Sequence, residues 1–390
     1  MAQVKLGMIG YGQQGGFYGS LISQGKVDNM TVTAVAEIDE AKDEKIKNDF
    51  PNATIYRDYK EMIDSGEVEA VLTAVPHYLH PEMAIYALEN NIHVLNEKPA
   101  GVYTKQVKEL NEVALAKKDE ATYAIMFNQR NNPLYQKIKK IIENGEIGDI
   151  RRTNWIITTW WRPQAYYDMS DWRATWGQEG GGVLVNQAPH QLDLLQWIAG
   201  VPKSVYSKVK YGYQRDIPVE DEVTAVIDYG NGATGVFITC THDIIGTDRL
   251  EILGDKGKIV VEDSKTAHVT RMKKTENELN KEMDFEGVKD LFMGKLDVGS
   301  LWETETFTEE SPWGEQHGGV LRNFAAHILE KEPLLAPGNE GINGVRLANA
   351  IHLSDWLGEE VSLEDFNDDL YLEELNKRIA EEGKFEQREG

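Results

Sequence analysis

The sequence predicts a two-domain α/β protein, in which a doubly wound parallel sheet is followed by a β-rich domain that ends in helices. At 390 residues the chain is longer than one ordinary hydrophobic core requires. Short apolar runs alternate with helix-length segments as far as residue 127, which is typical of βαβ units. Hairpin turn signals dominate afterwards. We therefore expect a first domain over residues 1–128 and a second over residues 129–390.

The predicted elements follow one another through short connections. The strands of the first domain are Val4–Ile9, Thr31–Ala36, Ala70–Val75, Ile92–Leu95 and Ala121–Phe127. Its helices follow the first strand and then cover Ala41–Phe50, Tyr59–Asp64, residues 81–89 and Thr104–Ala116. In the second domain, strand patterns cover Arg152–Trp161 and two hairpins at Gly230–Gly232 and Gly254–Gly257, and amphipathic helices cover Val320–Leu329 and Ile342–Leu357.

Composition and charge exclude several classes of protein. The formal net charge of -24 would repel a phosphate backbone, so we expect no nucleic-acid partner. Cys240 is the single cysteine, which excludes an internal disulfide and fits a reducing compartment. No run approaches the 18 apolar residues of a membrane span, and the N-terminus lacks an apolar signal core. The expectation is a cytoplasmic protein with no membrane partner.

A glycine-rich turn follows the first predicted strand. Gly10 permits a tight turn, Gly12 lets the backbone approach a pyrophosphate, and Gly15 lets helix and strand pack closely. The pyrophosphate would then lie at the N-terminus of the following helix. A glycine-rich surface turn is the alternative, because the chain contains 35 glycines. The residues expected to contact a dinucleotide here are Gly10, Tyr11, Gly12, Gln13, Gln14 and Gly15.

A carboxylate ends the second predicted strand. Glu37 follows Thr31–Ala36, at the place where an acidic residue holds the adenosine ribose hydroxyls. No Arg or Lys in Ile38–Glu40 is positioned to accept a 2′-phosphate, and like charge would repel one. The sequence therefore favours NAD over NADP. The alternative is that Glu37 only belongs to the N-cap region of the next helix.

The ends of two further strands are expected to line the cofactor crevice, because open α/β sheets bind ligands at the carboxyl ends of their strands. After Ile92–Leu95 an abrupt change from apolar to charged residues precedes Pro99, which places Lys98 at such an end. A histidine satisfied by nearby backbone is an open alternative for His77 and His80, and neither is assigned a catalytic role. The predicted cofactor contacts are Val75, Pro76, His80, Glu97 and Lys98.

Large aromatic residues and arginines are concentrated in the loop-like segment 160–176. Flat rings pack well against the C–H faces of sugars, and arginines donate forked hydrogen bonds to hydroxyl or carboxylate groups. An oligomer or domain interface is the alternative. The residues of this segment predicted to bind substrate are Trp161, Tyr167, Trp172 and Arg173.

A second polar cluster follows the glycine run at residues 180–182. His190 and Asp193 are three residues apart, so one helix face would present both, and Asn186 lies one turn earlier. Two ligands are too few for a persuasive zinc site, so we predict no metal. A structural histidine capped by its own aspartate is the remaining alternative.

These motifs, in this order, resemble the glucose–fructose oxidoreductase / inositol dehydrogenase / rhizopine-catabolism (Gfo/Idh/MocA) family over nearly the full length. The resemblance implies an N-terminal Rossmann domain and a C-terminal α/β domain whose open, mostly antiparallel sheet often forms the oligomer interface. Its carriers are Gly10–Gly15, Glu37, Glu97-Lys98-Pro99, Gly180-Gly181-Gly182 leading to His190 and Asp193, and the helical segments 321–324 and 348–350.

The resemblance also implies that Lys98 and His190 are catalytic, and that the bond from Lys98 to Pro99 is cis, as it often is in such proteins. One position departs from the family pattern. Inositol-dehydrogenase-like members carry an aspartate four residues before the histidine, where this chain has Asn186. Asparagine brings no charge, so either Asp193 supplies it or the histidine is less basic. Inositol itself is therefore a poor guess for the substrate.

The function predicted on this basis is an NAD-dependent oxidoreductase acting on a hydroxyl of a sugar, sugar derivative or polyol. Lys98, His190 and Asp193 are the predicted catalytic residues, and Lys98, Asn186 and His190 are also expected to touch substrate. A homo-oligomer, dimer or tetramer, is expected. Two alternatives stay open: an NAD-dependent glycosidase or ketosugar-forming enzyme that recycles its NAD, and a non-catalytic sensor of NAD or a sugar.

Overall fold

The computed structural model describes residues 2–382. Its N-terminal part is a six-stranded parallel sheet in the order β3-β2-β1-β4-β5-β6, which confirms the predicted doubly wound arrangement. Apart from the edge strand of three residues, these strands are largely buried, as parallel strands covered on both faces must be. They are β1 (Val4–Ile9), β2 (Met30–Ala36), β3 (Thr54–Tyr56), β4 (Ala70–Thr73), β5 (His93–Asn96) and β6 (Tyr123–Ile125).

The strand order reverses between β1 and β4, so a crevice opens at the carboxyl ends of these two strands. The glycine-rich turn and the loop that follows β4 border it. The connecting helices are α1 (Gln13–Ser23), α2 (Asp43–Asp49), α3 (Tyr59–Asp64), α4 (Leu79–Glu89) and α5 (Thr104–Ala116). In this N-terminal sheet, the sequence analysis failed to predict only β3, whose three residues are too few to show a pattern.

The second sheet has nine strands in the order β14-β13-β12-β11-β7-β10-β9-β8-β15. All of its pairs are antiparallel except β7 with β10, which confirms the large, mostly antiparallel sheet. Its strands are β7 (Ile150–Ile157), β8 (Ser204–Tyr211), β9 (Glu220–Asp228), β10 (Thr234–Cys240), β11 (Asp248–Gly254), β12 (Gly257–Glu262), β13 (Thr266–Met272), β14 (Trp302–Thr308) and β15 (Val361–Ser362).

Helices cover one face of this sheet, with α8 and α12 contributing buried residues to the same core as Trp155 and Phe237. In β9 the inward residues Val223, Ala225 and Ile227 are buried, whereas alternate residues are more exposed. The remaining helices of the chain are α6 (Pro133–Glu143), α7 (Gln164–Tyr167), α8 (Pro189–Ala199), α9 (Glu276–Glu282), α10 (Phe285–Phe292), α11 (Glu315–Glu330), α12 (Gly341–Leu357) and α13 (Asp368–Glu382).

Helix α11 comes late in the sequence but packs on the N-terminal sheet. Its residues Val320, Leu321 and Phe324 share a hydrophobic core with Leu6 and Tyr18. The predicted boundary after residue 128 therefore does not separate the two cores completely. Within residues 2–382, no helix is both long and apolar enough to cross a bilayer.

Candidate active site

The glycine-rich turn is shaped for close approach of a ligand. Gly10 has a φ of +88°, and a Cβ there would lie 2.5 Å from the carbonyl oxygen of Ala74. A Cβ at Gly15 would lie 2.2 Å from the carbonyl oxygen of Gly10, whereas one at Gly12 would meet nothing within 4 Å. No side chain of the described residues caps the N-terminus of α1. The first N–H groups of α1 are thus free for a pyrophosphate, and the exposed Gln13 and Gln14 flank them.

Tyr11 contributes its backbone, not its ring, to this turn. Its side chain is buried, and its hydroxyl donates to the Asp49 carboxylate at 2.6 Å. A Cβ at Gly19 would lie 2.2 Å from that hydroxyl oxygen, so glycine at this position makes room for the ring. The Tyr11 N–H donates to Glu37 at 2.7 Å. The expected contact of Tyr11 with a cofactor is therefore limited to its backbone.

Glu37 lies at the end of β2 as predicted, but it is not alone. Its carboxylate accepts the N–H groups of Tyr11 and Asp39, and the ammonium of Lys42 lies 3.1 Å away. Arg57 donates to the Glu37 carbonyl oxygen at 2.7 Å. Lys42, from the following helix turn, and Arg57, from the segment after β3, place two cations near Glu37 that lie outside Ile38–Glu40.

The loop after β4 borders the glycine turn through Val75, whose Cγ1 would lie 3.0 Å from a Cβ at Gly10. Pro76 is exposed beside it. His80 is only 1% exposed, and its ring nitrogens lie 2.7 Å from the Pro99 carbonyl oxygen and 2.9 Å from the Val75 carbonyl oxygen. Its ring ties together the loops that follow β4 and β5. Contrary to the prediction, His80 has no free face for a cofactor.

Glu97 is buried at the end of β5 and is hydrogen-bonded to the hydroxyl of Tyr18 on α1. Its other oxygen accepts the N–H of Lys98 at 2.7 Å. Burial raises the pKa of Glu97, although the neighbouring Lys98 charge and the Tyr18 hydrogen bond oppose this. Glu97 therefore links the backbone of Lys98 to helix α1.

Lys98 joins the two halves of the chain. Its ammonium donates to the carbonyl oxygen of Asn186 at 3.0 Å, and the peptide bond to Pro99 is cis. Burial lowers the pKa of Lys98, and the carboxylates of Glu97 and Glu179 oppose that effect. An ammonium held in this way is a donor that can be aimed at a ligand oxygen.

His190 lies in the first turn of α8, directly after Pro189. Its ring packs edge-on against Phe127, with centroids 6.4 Å apart. Its Nδ1 is buried and has no hydrogen-bond partner among the described residues. Burial, followed by the charges of Lys98 and His317, lowers the pKa of His190 well below its usual value. The imidazole is therefore neutral, and it is close enough to Lys98 to respond to its charge.

The Asp193 carboxylate is bonded to Arg130 and not to His190. This carboxylate makes two hydrogen bonds to Arg130, at 2.9 Å and 2.6 Å, and Arg130 also pairs with Glu340 at 2.5 Å. Both side chains of the Arg130–Asp193 pair are 3% exposed. Residues three apart on a helix point about 60° away from each other, which is enough to turn Asp193 from the cleft into the core. The predicted catalytic role of Asp193 is corrected to a structural one.

Asp193→Asn should therefore cost stability, because it leaves the buried Arg130 guanidinium with only the partly exposed Glu340 as a charge partner. We expect the free energy of unfolding in urea to fall by about 3–5 kcal/mol. Glu340→Gln is the matched control, since the Glu340 side chain is 38% exposed and its loss should cost far less. Equal losses in the two variants would contradict a buried Arg130–Asp193 pair.

The aromatic segment divides between core and cleft. Tyr167 is buried and its hydroxyl donates to Thr241 at 2.9 Å, so its predicted contact with substrate was wrong. Trp161 is 41% exposed just past β7, and no described contact joins it to Lys98 or His190. Trp172 meets the His77 ring edge-on at 6.2 Å, and Arg173 stacks on Trp172 at 4.8 Å.

Two site residues were missed by the sequence analysis. Glu179 is 2% exposed and hydrogen-bonded to the side-chain amide of Asn186. His317, from α11, has a buried Nδ1 without a partner in the described chain, and burial with the Lys98 charge lowers its pKa to about 4. The only signal for Glu179 was its place before the glycine run. His317 had none, because α11 reaches the cleft through tertiary packing.

The structure also groups three potential metal ligands, Glu222, Cys240 and His242, whose ligand atoms lie within 4.8 Å of one another. Glu222 and Cys240 are cross-strand partners in β9 and β10. His242 and Glu222 already pair at 2.6 Å. No contact among the described residues links this group to Lys98 or His190, and the prediction of no metal stays a prediction.

Two family models match the chain, one in each half. Residues 4–127 match the model described as an oxidoreductase family with an NAD-binding Rossmann fold, and residues 135–260 match the GFO/IDH/MocA C-terminal domain. Together they span well over half of the sequence. The N-terminal domain is thus an NAD-binding Rossmann domain.

Relatives resemble the chain over different lengths. The uncharacterized oxidoreductase YrbE of Bacillus subtilis is 25% identical over 370 residues, covering 93% of this chain and 97% of the relative. A myo-inositol 2-dehydrogenase of Thermotoga maritima is 26% identical over 267 residues, covering 66% and 74%. A solved levoglucosan dehydrogenase, in complex with NADH and L-sorbose, aligns with a TM-score of 0.77 at 21% identity, covering 93% and 99%. That last likeness establishes the fold.

Proposed function

Because the chain belongs to the Gfo/Idh/MocA family of oxidoreductases, we propose that it oxidises one hydroxyl group of a sugar, sugar derivative or polyol with NAD. The observation that supports this proposal is that Lys98 and His190 are linked through the segment before α8. They come from different domains, yet the Lys98 ammonium contacts the residue four positions before His190 and depresses the His190 pKa. A donor and a neutral base are thus available beside the dinucleotide crevice.

The residues of the crevice fit NAD. The open backbone at Gly12 and the uncapped start of α1 would hold the pyrophosphate, and the Glu37 carboxylate would hold the adenosine ribose. The bound cofactor supplies the hydride acceptor for the reaction.

The protein's own contribution is to handle the proton and the charge. His190, neutral because of its burial, would accept the hydroxyl proton as the carbinol carbon loses its hydride. Lys98 would donate a hydrogen bond to the same oxygen and stabilise the negative charge that develops there. Trp172 and Arg173, near Lys98, would offer a flat ring and a forked donor to the rest of a sugar.

Absorbance of NADH tests this proposal most simply. Purified protein is mixed with NAD or NADP and a panel of sugars, sugar derivatives and inositols. We expect NADH to accumulate with at least one sugar. Release of free sugar from a glycoside without NADH accumulation would support the recycled-NAD alternative. Absence of both reactions across the panel would contradict the proposal.

The preference for NAD over NADP depends on the negative charge of Glu37 beside the positive charge of Lys42. Glu37→Ala should therefore change that preference. Loss of a charged acceptor for the ribose hydroxyls is expected to raise the KM for NAD by about 10-fold or more. The Lys42 ammonium, freed from its carboxylate, would favour a 2′-phosphate, so the preference for NAD over NADP should shrink. Steady-state kinetics with both cofactors measure this.

Glu40→Ala is the matched control, since Glu40 is an exposed acidic residue three positions further along. It should leave both KM values nearly unchanged. A Glu37→Ala variant that keeps the wild-type preference would show that Glu37 does not touch the ribose.

A further inference from the structure

The cleft contains a carboxylate that the sequence pattern did not place there. Where inositol-dehydrogenase-like relatives carry an aspartate, this chain has Asn186, and Asp193 is committed to Arg130. The side-chain amide of Asn186 is instead hydrogen-bonded to Glu179. A negative charge is thus present beside Asn186, but it comes from the loop before the glycine run.

The loop is built around this carboxylate. Glu179 is 2% exposed, and its second oxygen accepts the N–H of Ala174 at 2.5 Å. Ala174 has a φ of +51°, a left-handed conformation that is strained for a non-glycine residue. The backbone therefore accepts strain at the residue that binds Glu179. This arrangement fixes the carboxylate in one position.

Glu179 is connected to Lys98 through Asn186. The Asn186 amide donates to Glu179, while the Asn186 carbonyl oxygen accepts the Lys98 ammonium at 3.0 Å. Glu179 and Glu97 are the two carboxylates whose charges favour the protonated form of Lys98. The Glu179 carbonyl oxygen also lies 3.0 Å from His77 Nδ1, which ties the same loop to the end of β4.

We propose that Glu179 is an active-site carboxylate of this chain, a positioning residue that holds Asn186 in contact with Lys98 and places a negative charge near the Lys98 ammonium. This role rests on the proposed dehydrogenase function, and it assigns to Glu179 the charge that Asn186 lacks. In this arrangement Glu179 touches neither the hydride nor the proton that is transferred.

The role has a consequence for pH. The ionisable groups around Glu179 are Lys98, Arg173, Glu220 and His77, of which Arg173 favours and Glu220 opposes its ionisation. Burial raises the pKa of Glu179 to about 7. Its charge is present above pH 7 and is lost as the pH falls through that value. Glu179 is thus ionised in the alkaline range where Lys98 loses its proton, and its charge should shift the alkaline decline of activity to higher pH.

Glu179→Gln tests the role, with Glu222→Gln on the outer part of the larger sheet as the matched control. In Glu179→Gln the decline of activity on the alkaline side should move to lower pH by about one unit or more, because Lys98 has lost a neighbouring carboxylate. The KM for NAD should stay within about twofold, since the ribose and pyrophosphate contacts lie elsewhere. Glu222→Gln should keep the wild-type profile.

A second measurement does not depend on turnover. Competitive acetylation of the amines by acetic anhydride, read by mass spectrometry of the Lys98 peptide, gives the pH midpoint of Lys98 in the protein without ligands. We expect this midpoint to fall by about one pH unit or more in Glu179→Gln and to stay unchanged in Glu222→Gln. An unchanged Lys98 midpoint in Glu179→Gln overturns the proposal, even if the wild-type protein oxidises sugars.

A double variant that moves the carboxylate distinguishes the loss of its charge from misfolding of Glu179→Gln. Glu179→Gln combined with Asn186→Asp moves the carboxylate to the neighbouring side chain, so the Lys98 midpoint should return toward the wild-type value. A double variant that stays at the Glu179→Gln midpoint contradicts the proposal. If the wild-type protein forms no NADH with any sugar, the dehydrogenase function fails, whereas the labelling result still decides whether Glu179 controls Lys98.

Discussion

Lys98→Ala is expected to lose about 100-fold to 1,000-fold of kcat while NAD still binds. Lys98 contacts Glu97 at the end of β5 through its backbone N–H and the segment before α8 through its ammonium. Removing it deletes the donor that stabilises the developing charge on the substrate oxygen. The pyrophosphate and ribose contacts, which depend on Gly12 and Glu37, remain in place. Steady-state kinetics and NADH fluorescence titration measure the two effects separately.

Lys105→Ala is the control for this variant, because Lys105 is an exposed lysine on α5 that pairs with Asp369 at the surface. It should leave kcat and NADH affinity unchanged. If Lys98→Ala keeps nearly full turnover, the assignment of Lys98 fails. If it loses NADH binding as well, Lys98 supports the cofactor and not the reacting oxygen.

His190→Asn is expected to lower kcat by about 100-fold to 10,000-fold. Asparagine can preserve some of the hydrogen bonding of the ring, but it cannot accept a proton near neutral pH. Burial and the Lys98 charge lower the pKa of His190, so in the wild-type protein the base is ready at pH 7 and titrates only in more acidic solution. The loss in the variant should shrink as the pH rises, because hydroxide then replaces the missing base.

His327→Asn provides the comparison, since His327 is a surface histidine of α11 that bonds a backbone carbonyl oxygen. Its kinetics should match the wild type. A His190→Asn variant that loses less than tenfold of kcat would remove His190 from the proton transfer and would favour His317, whose neutral ring lies in the same cleft.

The parts of the fold that sequence predicts are those controlled by local pattern. Alternating strands and helices, the turn at Gly10–Gly15, and the carboxyl ends of β2 and β5 all depend on residues that are close in sequence. The parallel pairing of β7 with β10 inside an otherwise antiparallel sheet could not be predicted. It joins strands separated by more than 70 residues, and no turn connects them.

The site was harder to predict, because its charges are distributed by tertiary packing. Asp193 has the sequence spacing expected of a hydrogen-bond partner for His190. Its carboxylate is instead bonded to Arg130, which lies in a turn distant in sequence. Glu179 carried no motif of its own, and His317 lies on α11, which follows β14 far along the sequence. Lys42 lies five residues after Glu37, and only the helical turn at Glu40–Lys42 brings its ammonium to the Glu37 carboxylate. In each case the type of residue was visible, but the partner was not.

A structure of the protein with NADH and a bound substrate or product would measure the central claim directly. Lys98 Nζ and a ring nitrogen of His190 should both lie within about 2.6–3.2 Å of one substrate oxygen. The carbon that bears that oxygen should face the nicotinamide. Two different oxygens contacted by these nitrogens, or a reacting carbon turned away from the cofactor, would contradict the account.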